Sequence, residues 1–319
     1  MNKTSTADPC ESAFARDVLA GLSQPQKAIP SRWLYDRRGS ELFEQITDLE
    51  EYYPTRTETS IFNTDAGDMA AALGPGIVLV EYGAGALVKT RILLDALDAP
   101  AGYVPIDISG PFLRDAAESL SADYPGLLVT PIVADFTGPV DLSTAPGDAD
   151  QRVGFFPGST IGNLTDAEIV KFFKAARNSL GPKARFLLGA DLKKDPSILV
   201  PAYDDSKGVT AEFNLNLLMR INRELGAEFD EAVFSHEARW NSSASQIEMH
   251  LVARAPTQAT VCGRMFHFEA GETIHTEISR KFDYASLDHL LAEAGWRREQ
   301  TWSDPKGYFA VTLLGPPLA

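Results

Sequence analysis

The sequence contains few cysteines and fewer basic than acidic residues. Among its 319 residues are two cysteines, Cys10 and Cys262, which cannot form a disulfide framework. Lysine and arginine together number 29, against 44 aspartate and glutamate residues, so the formal net charge is −15. No block of basic residues stands out as a surface for a nucleic-acid backbone. We therefore expect no nucleic-acid partner.

Long apolar runs are also missing. Residues 1 to 6 are polar and lack the apolar run of a signal peptide. No stretch approaches the roughly 20 apolar residues of a membrane-spanning helix. These absences predict a soluble, cytoplasmic protein that does not bind a membrane, and we expect no obligate protein partner. The length suits either one large domain with an insertion or two modest domains.

The most informative segment is residues 77 to 90. An apolar strand that carries Glu81 near its end leads into a turn with Gly83 and Gly85, and a helix follows. That order is typical of a nucleotide-type cofactor site. Both the dinucleotide fingerprint and the phosphate-binding P-loop require glycine where this chain has Val88. The turn therefore favours an adenosine-type ligand without phosphates, and S-adenosylmethionine is the leading candidate.

Further apolar segments alternate with helix-like ones. The predicted strands are residues 103–107, 127–135, 153–156, 185–191 and 308–314, and a helix is predicted at 287–296. Such β-α repetition predicts a doubly wound, Rossmann-like α/β sheet. Residues 203–281 change character, with a helix at 212–225 and strands at 246–253, 257–268 and 273–282. We expect three parts: a helical segment (1–70) packing on the lobe, a cofactor-binding domain (71–202 and 282–319) and an inserted α+β substrate-binding lobe (203–281).

Several residues stand at predicted strand ends, where ligands bind in such sheets. Asp107 follows the glycine turn at the spacing of a ribose-binding carboxylate, although it could instead cap a helix. Asp135 and Phe136 could meet an adenine or simply form a turn. Asn163 ends a glycine-containing loop, where it could contact a substrate or cap the next helix. Thr160 occupies the serine position of a nucleophile elbow, which argues against a serine hydrolase.

The histidines and the remaining carboxylates indicate no metal. The five histidines lack paired zinc-helix spacing, so we expect none. Glu248 and His250 would share a strand face that we interpret as solvated. Glu277 and Ser279 would likewise share a face, with Ile278 on the other side. On these residues alone, a solvated face is again the simpler interpretation.

Four segments occurring in order carry a resemblance to a known family. They are Trp-Leu-Tyr-Asp at 33–36, Glu-Tyr-Tyr-Pro-Thr-Arg-Thr-Glu at 51–58, Gly-Ser-Thr-Ile-Gly-Asn at 158–163 and Ala-Tyr-Asp-Asp at 202–205. From about residue 25 to the C-terminus, the chain resembles the histidine Nα-methyltransferases of ergothioneine biosynthesis. The resemblance implies that S-adenosylmethionine donates three methyl groups in succession to the α-amino group of L-histidine, which gives hercynine.

The resemblance also implies roles for individual residues. The cofactor-binding residues it implies are Gly83, Lys89, Asp107, Asp135 and Phe136. The substrate-binding residues it implies are Tyr52, Asn163, Tyr203, Met249, Glu277 and Ser279. The catalytic residues that it implies, close to the methylated amine, are Tyr35, Gly158 and Asn163. Glu277 and Ser279 would hydrogen-bond the imidazole, whereas Asn163 and Tyr203 would fix the amino-acid end.

Three alternatives stay open at this point. A methyltransferase of the same fold could act on another amino acid or on a small amine. A nicotinamide-dependent oxidoreductase is disfavoured by Val88. A non-catalytic sensor could keep the ligand pocket without turnover.

Overall fold

The computed structural model describes residues 8–85, 87–108 and 110–318. The helices in these ranges are α1 Ala13–Leu22, α2 Arg37–Thr47, α3 Tyr53–Leu73, α4 Val88–Ala96, α5 Gly110–Asp123, α6 Asp166–Leu180, α7 Pro196–Leu199, α8 Val209–Leu225 and α9 Tyr284–Glu293. The strands are β1 Lys27–Ala28, β2 Val78–Tyr82, β3 Gly102–Asp107, β4 Ile132–Val133, β5 Arg152–Phe156, β6 Arg185–Asp191, β7 Phe234–Asn241, β8 Gln246–Ala253, β9 Thr257–Val261, β10 Arg264–Phe268, β11 Thr273–Arg280, β12 Arg297–Ser303 and β13 Phe309–Gly315.

The chain divides into two compact units. Unit 1 contains the described residues up to Tyr53 together with Lys194–Ser279, and unit 2 contains Pro54–Lys193 and the described residues from Arg280 onward. These boundaries differ from the expected ones at residues 70, 202 and 281. The physical reason at the first boundary is that apolar residues of α3, such as Phe62 and Met69, pack into the core of unit 2.

Unit 2 is built on a seven-stranded sheet in the order β12-β13-β6-β5-β2-β3-β4. The five neighbouring strands β6, β5, β2, β3 and β4 are parallel to one another. At the other end of the sheet, β13 runs antiparallel to β6, and β12 runs antiparallel to β13. The predicted doubly wound α/β sheet is thereby confirmed. Two details differ from the prediction: β4 is much shorter than 127–135, and β12 was missed because most of its side chains are polar.

The core of unit 2 lies on both faces of this sheet. Along β2, Val80 and Tyr82 pack with residues of α6 and α9, whereas Leu79 packs with residues of α3 and α4 on the other face. This alternation follows from the period of two in a strand. Because both faces are covered, strands β2, β3, β5, β6 and β13 are largely apolar, which is why the sequence pattern identified them.

Unit 1 contains a four-stranded sheet in the order β1-β11-β8-β7. Strands β7 and β8 form an antiparallel pair, and α2 and α8 belong to the same unit. The predicted segment 257–268 is a hairpin of β9 and β10, which turns at Cys262 and Gly263 with φ angles of +48° and +76°. Strand β7 was not predicted.

A disulfide joins Cys10 to Cys262 within unit 1. The two residues are 252 positions apart in sequence, and the fold brings their Cα atoms to 5.7 Å. The number and spacing of the cysteines did not predict this disulfide. Only the tertiary fold places the β9–β10 hairpin, which contains Cys262, beside the segment that contains Cys10. Separately, none of the described helices combines the length and the apolar character needed to cross a bilayer.

Candidate functional site

The glycine turn of unit 2 follows β2 as expected. Gly83 has a φ of +72°, a left-handed conformation that glycine adopts without strain. A Cβ atom at Gly83 would lie 3.4 Å from the ring of Phe136, and a Cβ at Gly85 would meet no described atom within 4 Å. The turn therefore leaves space for a ligand beside the backbone. Leu87 packs in the core, whereas Ala86 lies outside the described residues.

The other predicted cofactor residues follow neighbouring strands. Asp107 ends β3 and is half-buried, and its backbone oxygen accepts a hydrogen bond from the Ala134 N–H at 3.1 Å. Phe136 packs edge-on against Phe156, with ring centroids 5.3 Å apart. The Oδ1 atom of Asp135 accepts hydrogen bonds from the N–H and hydroxyl of Thr137 at 3.0 and 2.7 Å. Asp135 thus forms the strand-ending turn, and its contact with the adenosine stays a prediction.

Lys89 lies in the first turn of α4 and contacts a carboxylate that the sequence analysis did not assign. Its Nζ atom is 2.6 Å from Oε2 of Glu58, whose side chain is fully buried. The N–H of Gly158 donates to the same carboxylate, at 2.8 Å to Oε2 and 3.0 Å to Oε1. Glu58 therefore holds both the cationic end of Lys89 and the loop that begins at Gly158.

A glycine in β6 makes room for Glu58. A Cβ atom at Gly189 would lie 2.0 Å from Oε1 of Glu58, so a side chain there would displace the carboxylate. Sequence analysis placed Glu58 inside a family-like segment without a role. No spacing rule could identify it, because the Lys89 and Gly158 partners lie 31 and 100 residues away.

The loop after β5 is fixed at several points. Gly158 has a φ of +82° and Ser159 a φ of +57°, and the Ser159 hydroxyl accepts the N–H of Asp191 at 2.9 Å. Asn163 ends a 3₁₀ turn and is half-buried. It does not cap α6, because Thr165 does so in a capping box with Glu168. The cap interpretation of Asn163 is therefore wrong, and its contact with a substrate stays a prediction.

Glu81 is held by two hydroxyl groups inside unit 2. Its Oε2 atom accepts hydrogen bonds from the hydroxyls of Tyr103 and Thr90 at 2.5 and 2.7 Å. Burial raises the pKa of Glu81 to about 7, although these two donors lower it. Burial of this carboxyl group therefore opposes its ionisation in the folded protein.

Unit 1 gathers most of the predicted substrate residues. The ring of Tyr35 lies 5.5 Å from Phe43, Phe43 lies 6.1 Å from Tyr52, and Tyr52 lies 6.0 Å from Tyr203, all between centroids. The hydroxyl groups of Tyr203 and Ser279 are 2.8 Å apart. These contacts form a continuous aromatic chain that ends on β11.

Glu277 and Ser279 lie on β11 and are buried, with relative exposures of 8% and 5%, whereas Ile278 is only half-buried. The solvated-face interpretation is therefore wrong, since it placed the polar residues outside and the isoleucine inside. The Tyr35 hydroxyl approaches Oε1 of Glu277 at 3.5 Å. Burial and the charge of Glu277 raise the pKa of Tyr35 well above its usual value, so the phenol is neutral and can donate.

Met249 lies on β8, beside β11. Its backbone oxygen accepts a hydrogen bond from the buried Thr276 hydroxyl at 3.1 Å, and its side chain is 2% exposed. The bond ties the two strands together one residue before Glu277. The structure thus places Met249 on the strand next to the buried carboxylate, and its contact with a substrate stays a prediction.

Sequence analysis also missed two aromatic residues around Tyr35. Phe43 of α2 and Phe213 of α8 both pack edge-on against it, at 5.5 and 5.4 Å between centroids. The amphipathic pattern of each helix could have indicated that these residues face inward. It could not have shown that both rings fix the same tyrosine.

Comparison with known proteins identifies close relatives. A family model described as histidine-specific methyltransferase, SAM-dependent, matches residues 14–316. A histidine N-alpha-methyltransferase of Mycolicibacterium smegmatis is 44% identical over 312 residues, covering 96% of each chain. A protein of the same name from Mycobacterium tuberculosis is 42% identical over 306 residues, covering 94% of each chain. Among solved structures, a mitomycin 7-O-methyltransferase has a TM-score of 0.50 at 13% identity, covering 97% of this chain and 70% of that one, which supports the fold alone.

Proposed function

Because the chain belongs to the SAM-dependent family of histidine-specific methyltransferases, we propose that it trimethylates the α-amino group of L-histidine to hercynine, the first step of ergothioneine synthesis. The observation that supports histidine as the substrate is the burial of Glu277 and Ser279 on β11. A buried carboxylate beside a hydroxyl suits the N–H groups of an imidazole. The pair discriminates against apolar amino acids, whose side chains offer it no N–H group.

The residues of unit 2 fit an adenosine-type methyl donor. The space beside Gly83 and Gly85 would admit the ligand, Phe136 offers an apolar ring next to that space, and Asp107 would accept the ribose hydroxyls. Lys89, which Glu58 holds beside the loop at Gly158, is a further side chain that we propose to contact the donor. When bound, S-adenosylmethionine supplies a methyl group on a positively charged sulfur.

Transfer requires a neutral amine aligned with that methyl group. The amine lone pair forms the new N–C bond as the C–S bond breaks, and the electron pair of that bond goes to sulfur, which leaves neutral as S-adenosylhomocysteine. Since an α-amino group is mostly protonated at neutral pH, a proton must leave before each transfer. No covalent nucleophile is needed, and the contribution of this chain is to position the amine and exclude water. Tyr35 and Asn163 are the side chains that we propose near the amine.

The first experiment is a competition among amino acids. Purified protein, S-adenosylmethionine and an equimolar mixture of the twenty amino acids are incubated and analysed by mass spectrometry. We expect one product, histidine heavier by about 42 mass units, corresponding to three methyl groups in place of hydrogen under the alignment mechanism. A methylated product from another amino acid would contradict the role of Glu277 and Ser279. Absence of any methylated product would contradict the activity itself and favour a ligand-binding sensor.

A further inference from the structure

A second cluster of chemically reactive side chains lies on β8 and β11, outside the residues proposed above. Glu248, His250 and His275 each present a ligand atom, and these three atoms lie within 4.8 Å of one another. The imidazole rings of His250 and His275 are stacked, with centroids 4.8 Å apart and planes inclined by 18°. The solvated face expected for Glu248 and His250 is not observed, since His250 is only 5% exposed.

The cluster lies on the side of the sheet that carries two of the proposed substrate residues. Successive side chains of a strand point to opposite faces, so His275 shares a face of β11 with Glu277 and Ser279. Glu248 and His250 lie on the face of β8 opposite Met249, with their ligand atoms close to that of His275. A ligand bound by the cluster would therefore lie on the same side of the sheet as Glu277.

Hydrogen bonds prepare the three side chains as ligands. The Nε2 atom of His275 donates to the backbone oxygen of Glu277 at 3.0 Å, which leaves Nδ1 as the lone-pair nitrogen of that ring. Oε1 of Glu248 accepts the side-chain amides of Asn241 and Gln246, each at 2.8 Å. Oε2 of the same carboxylate faces Nε2 of His250 at 3.4 Å. Outer partners of this kind orient the ligands of a metal ion.

The cluster is incomplete without a further partner. The Nδ1 atom of His250 is buried and has no hydrogen-bond partner within the described part of the chain. A buried polar atom without a partner is unfavourable.

The surrounding charges also favour a cation. Glu248 supplies a carboxylate whose Oε1 atom is oriented by two side-chain amides. The nearby Arg239 is paired with Glu237 through two hydrogen bonds of 2.8 Å, which offsets its positive charge. Two imidazoles with one carboxylate match the ligands of zinc, whereas magnesium and calcium prefer oxygen alone.

We propose that Glu248, His250 and His275 form a zinc-binding site in unit 1, on the side of the sheet that carries Glu277. Zinc bonds to nitrogen and oxygen are about 2.0–2.2 Å long. The three ligand atoms must therefore close in from their present separations when the ion binds. The proposal does not depend on the identity of the methylated substrate.

The test is zinc binding to the full chain without a histidine tag, measured by isothermal titration calorimetry after treatment with a chelator. The wild type is expected to bind one equivalent of Zn²⁺. The variants Glu248→Gln and His275→Asn should each lose at least about tenfold in affinity. His267→Asn is the matched control, because His267 is exposed on the β9–β10 hairpin and should leave zinc binding unchanged. Cobalt provides a second probe, since its visible absorption bands report coordination directly.

Folding of each variant is checked by circular dichroism and urea unfolding of the full chain in the presence of chelator, because the substituted residues lie in unit 1. A wild type that binds no zinc would overturn the proposal. Equal zinc affinity in the wild type, Glu248→Gln and His275→Asn proteins would overturn it as well. Identical cobalt spectra for the wild type and these two variants would also overturn the proposal.

Discussion

Glu58 of unit 2 and Glu277 of unit 1 are both buried glutamates, but they have different partners. Glu58 accepts hydrogen bonds from the ammonium group of Lys89 and the N–H of Gly158, all at 3.0 Å or less. Glu277 lies 3.5 Å from the neutral phenol of Tyr35. The bonds of Glu58 position Lys89 and the loop at Gly158, whereas we propose that Glu277 accepts the imidazole of the substrate.

The largest expected effect is on stability, from Glu58→Gln. Removing one partner of a buried pair leaves Lys89 without its counterion, and we expect a loss of about 3 kcal/mol in the free energy of unfolding. Urea unfolding followed by circular dichroism measures it. Asp150→Asn is the matched control, because its pair with Lys183 is exposed and should contribute less than about 1 kcal/mol. Equal losses in both variants would contradict the assignment of Glu58.

A pH dependence of similar size is expected from Glu81, the third buried glutamate. Its pKa is about 7 in the folded protein, against 4.5 for the free group, so the folded state binds the proton more tightly. The stability it contributes is therefore full below pH 4.5 and is lost as the pH rises to about 7, by roughly 3 kcal/mol. Unfolding of the wild type and Glu81→Gln is compared at both ends of this range. A constant difference between the two proteins would refute the prediction.

Glu277→Ala should affect ligand affinity more than the fold. Loss of a charged acceptor for the imidazole is expected to weaken histidine binding by about 1.5–3 kcal/mol, or about ten- to one-hundredfold. The affinity for S-adenosylmethionine should stay unchanged. Calorimetry with each ligand separates the two, and Glu269→Ala, on an exposed residue of unit 1, is the control. Retained histidine affinity with lost S-adenosylmethionine affinity would reverse our assignment of the two ligands.

The smallest effect is expected from Tyr35→Phe. The hydroxyl approaches Glu277 only at 3.5 Å, so its removal should cost less than about 1 kcal/mol in histidine affinity while the packing on Phe43 and Phe213 is kept. Histidine binding and the rate of each methylation are measured together. A large fall in rate with unchanged affinity would mean that the hydroxyl acts on the amine, and that its distance from Glu277 says little about its role.

The sequence predicted much of unit 2 because its strands are short apolar runs bounded by turn residues. The predicted bounds of β3, β5, β6 and β13 agree with the structure to within one residue. Strand β12 was missed because it is mostly polar, and β7 because its residues do not alternate cleanly. In unit 1, the prediction for β8 matched both ends, whereas the turn at Cys262 divided one predicted strand into two.

By itself, the sequence determined the glycine turn, the doubly wound sheet and the resemblance that indicated the substrate, because these depend on residues close together along the chain. Only the tertiary structure decided which polar side chains meet. It placed Glu58 against Lys89 and Gly158, Glu277 beside Tyr35, Cys10 on Cys262 and His250 on His275. Such contacts depend on the packing of distant segments, and hydrophobic periodicity fixes which face of an element is buried without fixing what it meets there.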